Sequence, residues 1–150
     1  MPASFDRFYA ETYGALAGYA LSLVGDRPTA DDLAQEAMVR VYARWPLLRD
    51  ARPYAFRTVT NLARDRWRRR QTELRAQPDL LARPVPAPDR TVLDAVERLP
   101  PGLRDVVLLH YYADLPLEQV ARALRRPVGT VKRRLHEARA LLARTLQDPA

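Results

Sequence analysis

Two helical periodicities lie almost end to end between Leu115 and Leu146, and that arrangement constrains the fold more than any other part of the chain. Leu117, Val120, Ala121 and Leu124 recur at helical spacing with Glu118, Gln119 and Arg122 on the opposite side, the pattern of a short amphipathic helix. Arg125 and Arg126 follow, then Pro127, which has no N–H to lose in a first helical turn and holds a helix-compatible φ. A second helix is therefore expected to begin near Pro127. Along it Val128, Val131, Leu135, Ala138 and Leu142 gather on one face, leaving Thr130, Arg133, His136 and Glu137 on the other, flanked by Lys132 and Arg134. Two short helices on so brief a connection, the second carrying donors in its first turns, form the arrangement that sets a recognition helix into a DNA major groove.

Charge agrees with a polyanionic partner. The formal net charge is +7, but Lys132 is the sole lysine in an Arg-rich chain, so one arginine signifies little and the distribution signifies more. Residues 1–56 hold six Arg against seven acids, Arg57–Arg75 seven Arg against two, and Glu118–Arg144 eight Lys or Arg against two Glu. Two basic blocks set apart by neutral or acidic sequence predict two DNA contacts and at least one surface for something else.

The absence of cysteine excludes disulfides, thiolate zinc sites and a cysteine nucleophile. No apolar run approaches the roughly 20 residues that span a bilayer, and the amino terminus lacks a signal-peptide pattern, so a cytoplasmic protein without membrane insertion is expected. With 150 residues, 47% of them hydrophobic, the chain can bury one modest core or two small helical ones, and two are expected.

Taken in order, Phe5 to Val24 reads as a helix capped by Ser4 and ended by Gly25, with Gly14 and Gly18 admitting a break. Thr29 and Asp32 resemble a capping box for a helix reaching Trp45 before Pro46, with Ala34, Ala37, Met38, Val41 and Trp45 inward and Asp31, Asp32, Gln35 and Glu36 exposed at its start. Acids in a first helical turn are ordinarily dipole compensation, and a partner-binding role for them needs further support. After a loop at Leu47–Pro53, a helix from Tyr54 to Arg70 turns Phe56, Val59, Ala63 and Trp67 inward and Arg57, Asn61, Arg64, Asp65 and Arg68 outward, a polar stripe suited to nucleic acid. From Gln71 to Arg90 periodicity is lost and Pro78, Pro84, Pro86 and Pro88 mark an extended linker, with one short apolar turn at Leu80 and Leu81. Thr91 then caps a helix carrying Val92, Leu93, Val96 and Leu99, and another runs from Leu103 to Tyr112. The fold class expected is all-α: helical domains at 1–72 and 91–150 joined by a Pro-rich linker at 73–90.

Several motifs now stand in order: Asp31-Asp32-Leu33-Ala34-Gln35-Glu36, then Asn61-Leu62-Ala63-Arg64-Asp65 with Arg68, then Leu99-Pro100, Tyr111-Tyr112, Val120-Ala121 and Gly129-Thr130-Val131-Lys132 with Arg134-Leu135 and Ala138-Arg139. In that order, across one Pro-rich linker, they resemble a group 4, extracytoplasmic-function sigma factor of bacterial RNA polymerase, of the actinobacterial sigma-E-like type. The resemblance covers nearly the whole chain. It implies that residues 1–72 form sigma region 2, binding the polymerase β′ clamp helices through Asp31, Asp32, Gln35 and Glu36. Tyr54, Arg57, Asn61, Arg64 and Arg68 would then handle the -10 promoter element, with a flipped base near the Leu47–Pro53 loop. Residues 91–150 become region 4, which docks on the β flap and reads the -35 element. Lys132, Arg133, His136 and Glu137 would face bases, and Thr130, Arg134 and Arg139 would face phosphates. Core RNA polymerase and promoter DNA are the implied partners, with an anti-sigma factor as a further one; no cofactor, metal or catalysis is implied. Tyr54 stands where many members have Trp. Pro116 stands where a Ser or Thr often caps the helix, and Arg125 where the turn often has Gly.

Two other classes compete. A LuxR-like helix-turn-helix regulator shares the Gly-Thr-Val-Lys pattern but supplies neither of the two amino-terminal motifs. A zinc enzyme is suggested by His136-Glu137, yet position 140 is Ala, so the second histidine of that motif is missing. His110, between Leu109 and Tyr111, reads as a core or boundary histidine rather than a catalyst.

Overall fold

The computed structural model describes residues 4–76 and 91–147, and among them every regular element is a helix. Helix α1 (Phe5–Val24) starts where Ser4 Oγ accepts the Arg7 N–H and stops where Gly25 turns left-handed at φ 85°. It runs unbroken through Gly14 and Gly18. Burial of Leu16, Tyr19, Ala20 and Leu23 against α2 and α3 outweighs a glycine cost of about 1 kcal/mol each.

Helix α2 (Arg27–Ala43) begins earlier than the capping-box reading expects. Its cap is Asp26, whose carboxylate accepts the Thr29 N–H at 3.0 Å, with Pro28 in the first turn. The Thr29–Asp32 box is therefore not formed, and Asp31 and Asp32 fall in the second turn, beyond the unpaired N–H groups. Ala34, Ala37, Met38 and Val41 are buried as expected. A single 3-10 turn at Trp45–Leu47 takes up Pro46.

Helix α3 (Ala51–Ala76) is longer at both ends than the expected Tyr54–Arg70, because Pro53 fits its first turn and so shortens the preceding loop. Phe56, Val59 and Ala63 are buried and Trp67 is half-buried. A buried pair absent from the sequence reading joins α3 to α1: Tyr19 Oη and Thr60 Oγ1 lie 2.6 Å apart, and burial pushes the Tyr19 hydroxyl pKa well above the ordinary tyrosine range. The proposed linker prolines and the turn at Leu80 and Leu81 lie outside the described residues.

The carboxy-terminal unit comprises α4 (Thr91–Glu97), α5 (Pro101–Val107), α6 (Leu117–Leu124) and α7 (Val128–Gln147). The helix expected from Leu103 to Tyr112 does not stay α. It widens into a π turn at Leu108–Tyr112, where the Ala113 N–H reaches back five residues to the Leu108 carbonyl at 2.9 Å. Pro116 gives α6 no side-chain cap, and Arg125 closes it in the left-handed region at φ 54°, ψ 48°. Helix α7 buries Val131, Leu135 and Ala138, and Leu142 is half-buried.

Where two separate cores are expected, the buried side chains form one contiguous cluster running through both units. The physical reason is that α3 packs directly on α6 and on the π turn.

Candidate nucleic-acid interface

The outward face of α7 carries Lys132, Arg133, His136, Glu137 and Arg139, all exposed, while Thr130 and Arg134 are half-buried. Arg133 Nε lies 3.8 Å from Glu137 Oε1, an i,i+4 pair that water screens well enough for a DNA base to displace at little cost. Arg134 is different. Its guanidinium lies over Gly102 at the start of α5, 3.4 Å from where a β-carbon there would stand. That places it on the flank of the helix rather than at its crest. Arg139 donates through Nε to Tyr111 Oη at 2.6 Å and through Nη2 to the same oxygen, with its guanidinium carbon 5.5 Å from the ring centre. Tyr111, 46% exposed, has no site role in the sequence reading. It lies in the π turn, with its hydroxyl against Arg139 of α7.

On α3, Tyr54, Arg57, Asn61, Arg64 and Arg68 follow alternating steps of three and four and share one face. Asn61 and Arg68 are exposed; Tyr54, with the Arg44 guanidinium 5.9 Å from its ring, is half-buried. Arg64 has a buried Nε without an acceptor among the described residues. Desolvation first, then the nearby charges of Arg104 and Arg68, lowers its pKa from the usual arginine value. An anion entering beside it would accept the Nε–H and offset both effects.

Arg57 is engaged elsewhere: its Nη1 donates to the Ala123 carbonyl in the last turn of α6 at 2.7 Å. Alongside, Arg122 Nη1 pairs with Asp50 Oδ2 at 2.7 Å. The cleft so framed, about 1090 Å³, is lined by Leu47, Arg49, Tyr54, Arg57, Arg122 and Arg125 among others. The loop expected to hold a flipped base thus forms one wall and α6 the other. The sequence gives no signal that the two proposed domains meet here.

The acidic start of α2 is braced from α1. Tyr13 Oη donates to Asp31 at 3.4 Å, Gln35 Nε2 donates to Tyr9 Oη at 2.8 Å, and the two tyrosine rings stack 5.1 Å apart. Burial foremost, and the Asp31 charge next, raise the Tyr13 pKa. Glu36 pairs with Arg40 at 2.9 Å, leaving Asp32 exposed at the crest. Further along the same face Val39 and Tyr42 are each 66% exposed. The acidic motif covers only the polar half of this stripe; the apolar half follows at the same helical spacing from Asp32 and Gln35.

Among the described residues no group of three potential metal ligands occurs, and no helix is long and apolar enough to cross a membrane.

Residues 8–73 match the family model for sigma-70 region 2, and residues 89–142 that for sigma-70 region 4. The chain is 34% identical over 151 residues to the RNA polymerase sigma-E factor of Streptomyces coelicolor, covering 95% of this chain and 85% of that protein. It is 31% identical over 156 residues to the ECF RNA polymerase sigma factor SigL of Mycobacterium tuberculosis, covering 93% and 87%. Among solved structures, that of CnrH in complex with the cytosolic domain of CnrY is similar with a TM-score of 0.68 at 25% identity, covering 95% of this chain and 87% of that one.

Proposed function

This chain belongs to the sigma-70 family of RNA polymerase sigma factors, in its extracytoplasmic-function group, and we propose a division of promoter recognition between its two helical units. As a member it acts with core RNA polymerase and promoter DNA in initiating transcription. The match of residues 8–73 to region 2 sets the LuxR-like regulator aside.

In the proposal, residues 1–72 are region 2, 73–90 the linker and 91–150 region 4. Asp31, Asp32, Gln35 and Glu36 bind the β′ clamp helices. That reading is supported by their positions, Asp31 and Asp32 in the second turn of α2 and Gln35 and Glu36 in the third, where dipole compensation no longer accounts for the acids. Tyr54, Arg57, Asn61, Arg64 and Arg68 bind the separated -10 strand, for which the unpartnered Arg64 Nε and exposed Asn61 are suited. Lys132, Arg133, His136 and Glu137 read -35 base edges, with Thr130, Arg134 and Arg139 on phosphates. Region 4 docks on the β flap. The chain works in the cytoplasm, performs no catalysis itself and is held in check by an anti-sigma factor.

The observation that carries the reading is the pair of basic faces on α3 and α7, on different helices and of different character: one mixes Asn and Tyr with Arg, the other is an exposed helix face behind a short turn. The test is reconstituted transcription. Core polymerase with this chain should initiate at specific promoters, and no initiation across a genomic promoter library would overturn the assignment.

A further inference from the structure

We propose that Tyr111 is a positioning residue for DNA-backbone recognition, holding Arg139 so that its remaining N–H edge faces a phosphate at the wall of the major groove. The inference rests on α7 being the recognition helix. Arg139 stands seven residues after Lys132, on the same side of α7 and about 10 Å further along its axis. Recognition helices read bases with their first turns, so a donor two turns later meets the sugar-phosphate wall.

The nature of the partner matters most. Arg133 faces Glu137, a carboxylate that partly cancels its charge, whereas Arg139 spends its Nε–H and one Nη2–H on a neutral phenol oxygen. Among the described residues no carboxylate pairs with it and its Nη1 donors are uncommitted. A guanidinium so held has lost rotamer freedom in advance, freedom that an unheld arginine would give up on meeting a phosphate.

Tyr111 is itself fixed. The π turn carries it out beside α7, the His110 ring meets it edge-on at 4.9 Å and 66°, and His110 Nδ1 is anchored 2.9 Å from the Leu115 carbonyl. π turns of this kind recur at functional sites. An aromatic ring left 46% exposed, with its hydroxyl given wholly to one arginine, fits a brace rather than a core residue.

The test uses full-length chain assembled with core polymerase on a duplex selected by that holoenzyme from a random pool, with affinity measured across a salt series. Arg139→Ala should weaken binding and reduce the slope of log affinity against log salt by about 0.9, the loss of one phosphate contact. Tyr111→Phe keeps the ring and removes the oxygen. It should weaken binding about 2- to 12-fold, the cost of re-ordering one long side chain, with thermal melting of the free chain unchanged. In an Arg139→Ala background, Tyr111→Phe should have no further effect. Wild-type affinity in Tyr111→Phe, or a loss that persists without Arg139, overturns the positioning role. If Arg139→Ala itself leaves affinity and slope unchanged, the phosphate contact fails and the brace with it. Promoter-specific initiation by the same holoenzyme reports on the sigma-factor reading independently.

Discussion

Arg57 and Ala123, 66 positions apart, are joined by a hydrogen bond of 2.7 Å from a guanidinium to a carbonyl in the last turn of α6. Such carbonyls lack intrahelical donors and form the negative end of the helix dipole, so Arg57 acts as a cap supplied from another helix. The same side chain is proposed to hold the -10 strand. Nη1 is committed to this cap, so a strand phosphate meets the remaining donors of Arg57, and one that takes Nη1 as well costs α6 its cap.

The Asp50–Arg122 pair is the second tie across this junction. Arg122→Asp sets two carboxylates facing each other and should lengthen the distance between labels at Ala10→Cys and Ala140→Cys, a clean measurement in a chain without native cysteine. Adding Asp50→Arg should restore it. Global stability should change by less than about 1 kcal/mol, because both partners reach solvent. An unchanged distance in the single variant would show that this pair does not hold the units together.

Asp32→Arg should abolish association with core polymerase. Since Asp32 lies in the second turn of α2 and caps nothing, the fold should lose no more than about 0.5 kcal/mol. Full affinity in a pull-down titration with core enzyme would remove Asp32 from the clamp surface.

The stability effect of the α2 cap belongs to Asp26. Asp26→Ala should cost about 1 kcal/mol of unfolding free energy by denaturant titration. The hydrogen bonds from the Thr29 side chain and backbone hold the Asp26 pKa below its ordinary value. Its contribution is therefore complete above the unfolded carboxylate pKa near 4 and is lost as pH falls through the lower folded value. Asp26→Asn, which caps without titrating, should flatten that part of the acid limb. An identical acid limb in both proteins would refute the linkage.

The two basic faces should fail differently. Arg133→Ala should weaken -35 binding by roughly 1 to 3 kcal/mol if the side chain meets a base. Asn61→Ala should spare closed-complex binding and impair opening. Templates with a pre-melted -10 bubble separate the two, since a bubble relieves a melting defect but restores no -35 contact. Identical responses to the bubble would dissolve the proposed division.

What was legible in the sequence is what periodicity and caps dictate locally. Ser4 and Gly25 bracket α1, Pro127 announces α7, and the inward faces of α2, α3 and α7 follow from spacing alone. The misplaced start of α2 shows the limit: Asp26 and Thr29 are both good caps, and Pro28 in the first turn decides between them. The π turn was not legible, because widening a helix by one residue leaves the residue types unchanged. Nor was the contact of Arg57 with Ala123, which depends on tertiary packing across an intervening segment and on a backbone carbonyl that every residue possesses. Among site residues, exposed Asp32, Asn61 and Arg133 stand where the sequence puts them; the Val39–Tyr42 stripe was legible from its spacing with Asp32 and Gln35, whereas the placement of Tyr111 against Arg139 needed coordinates.

Helix α6 has only eight residues, no side-chain cap at Pro116 and a left-handed arginine at its end. It therefore depends on Arg57 for part of its order. The Arg125 N–H bonds to the Ala121 and Arg122 carbonyls and the Arg126 N–H to Ala121, so these two amides close the frayable end. When the units part and Arg57 withdraws, hydrogen exchange at these amides should quicken ahead of the buried amides of α3 and α7. The carboxy-terminal end of α6 is thus a native clock for the opening of the molecule, readable without any label.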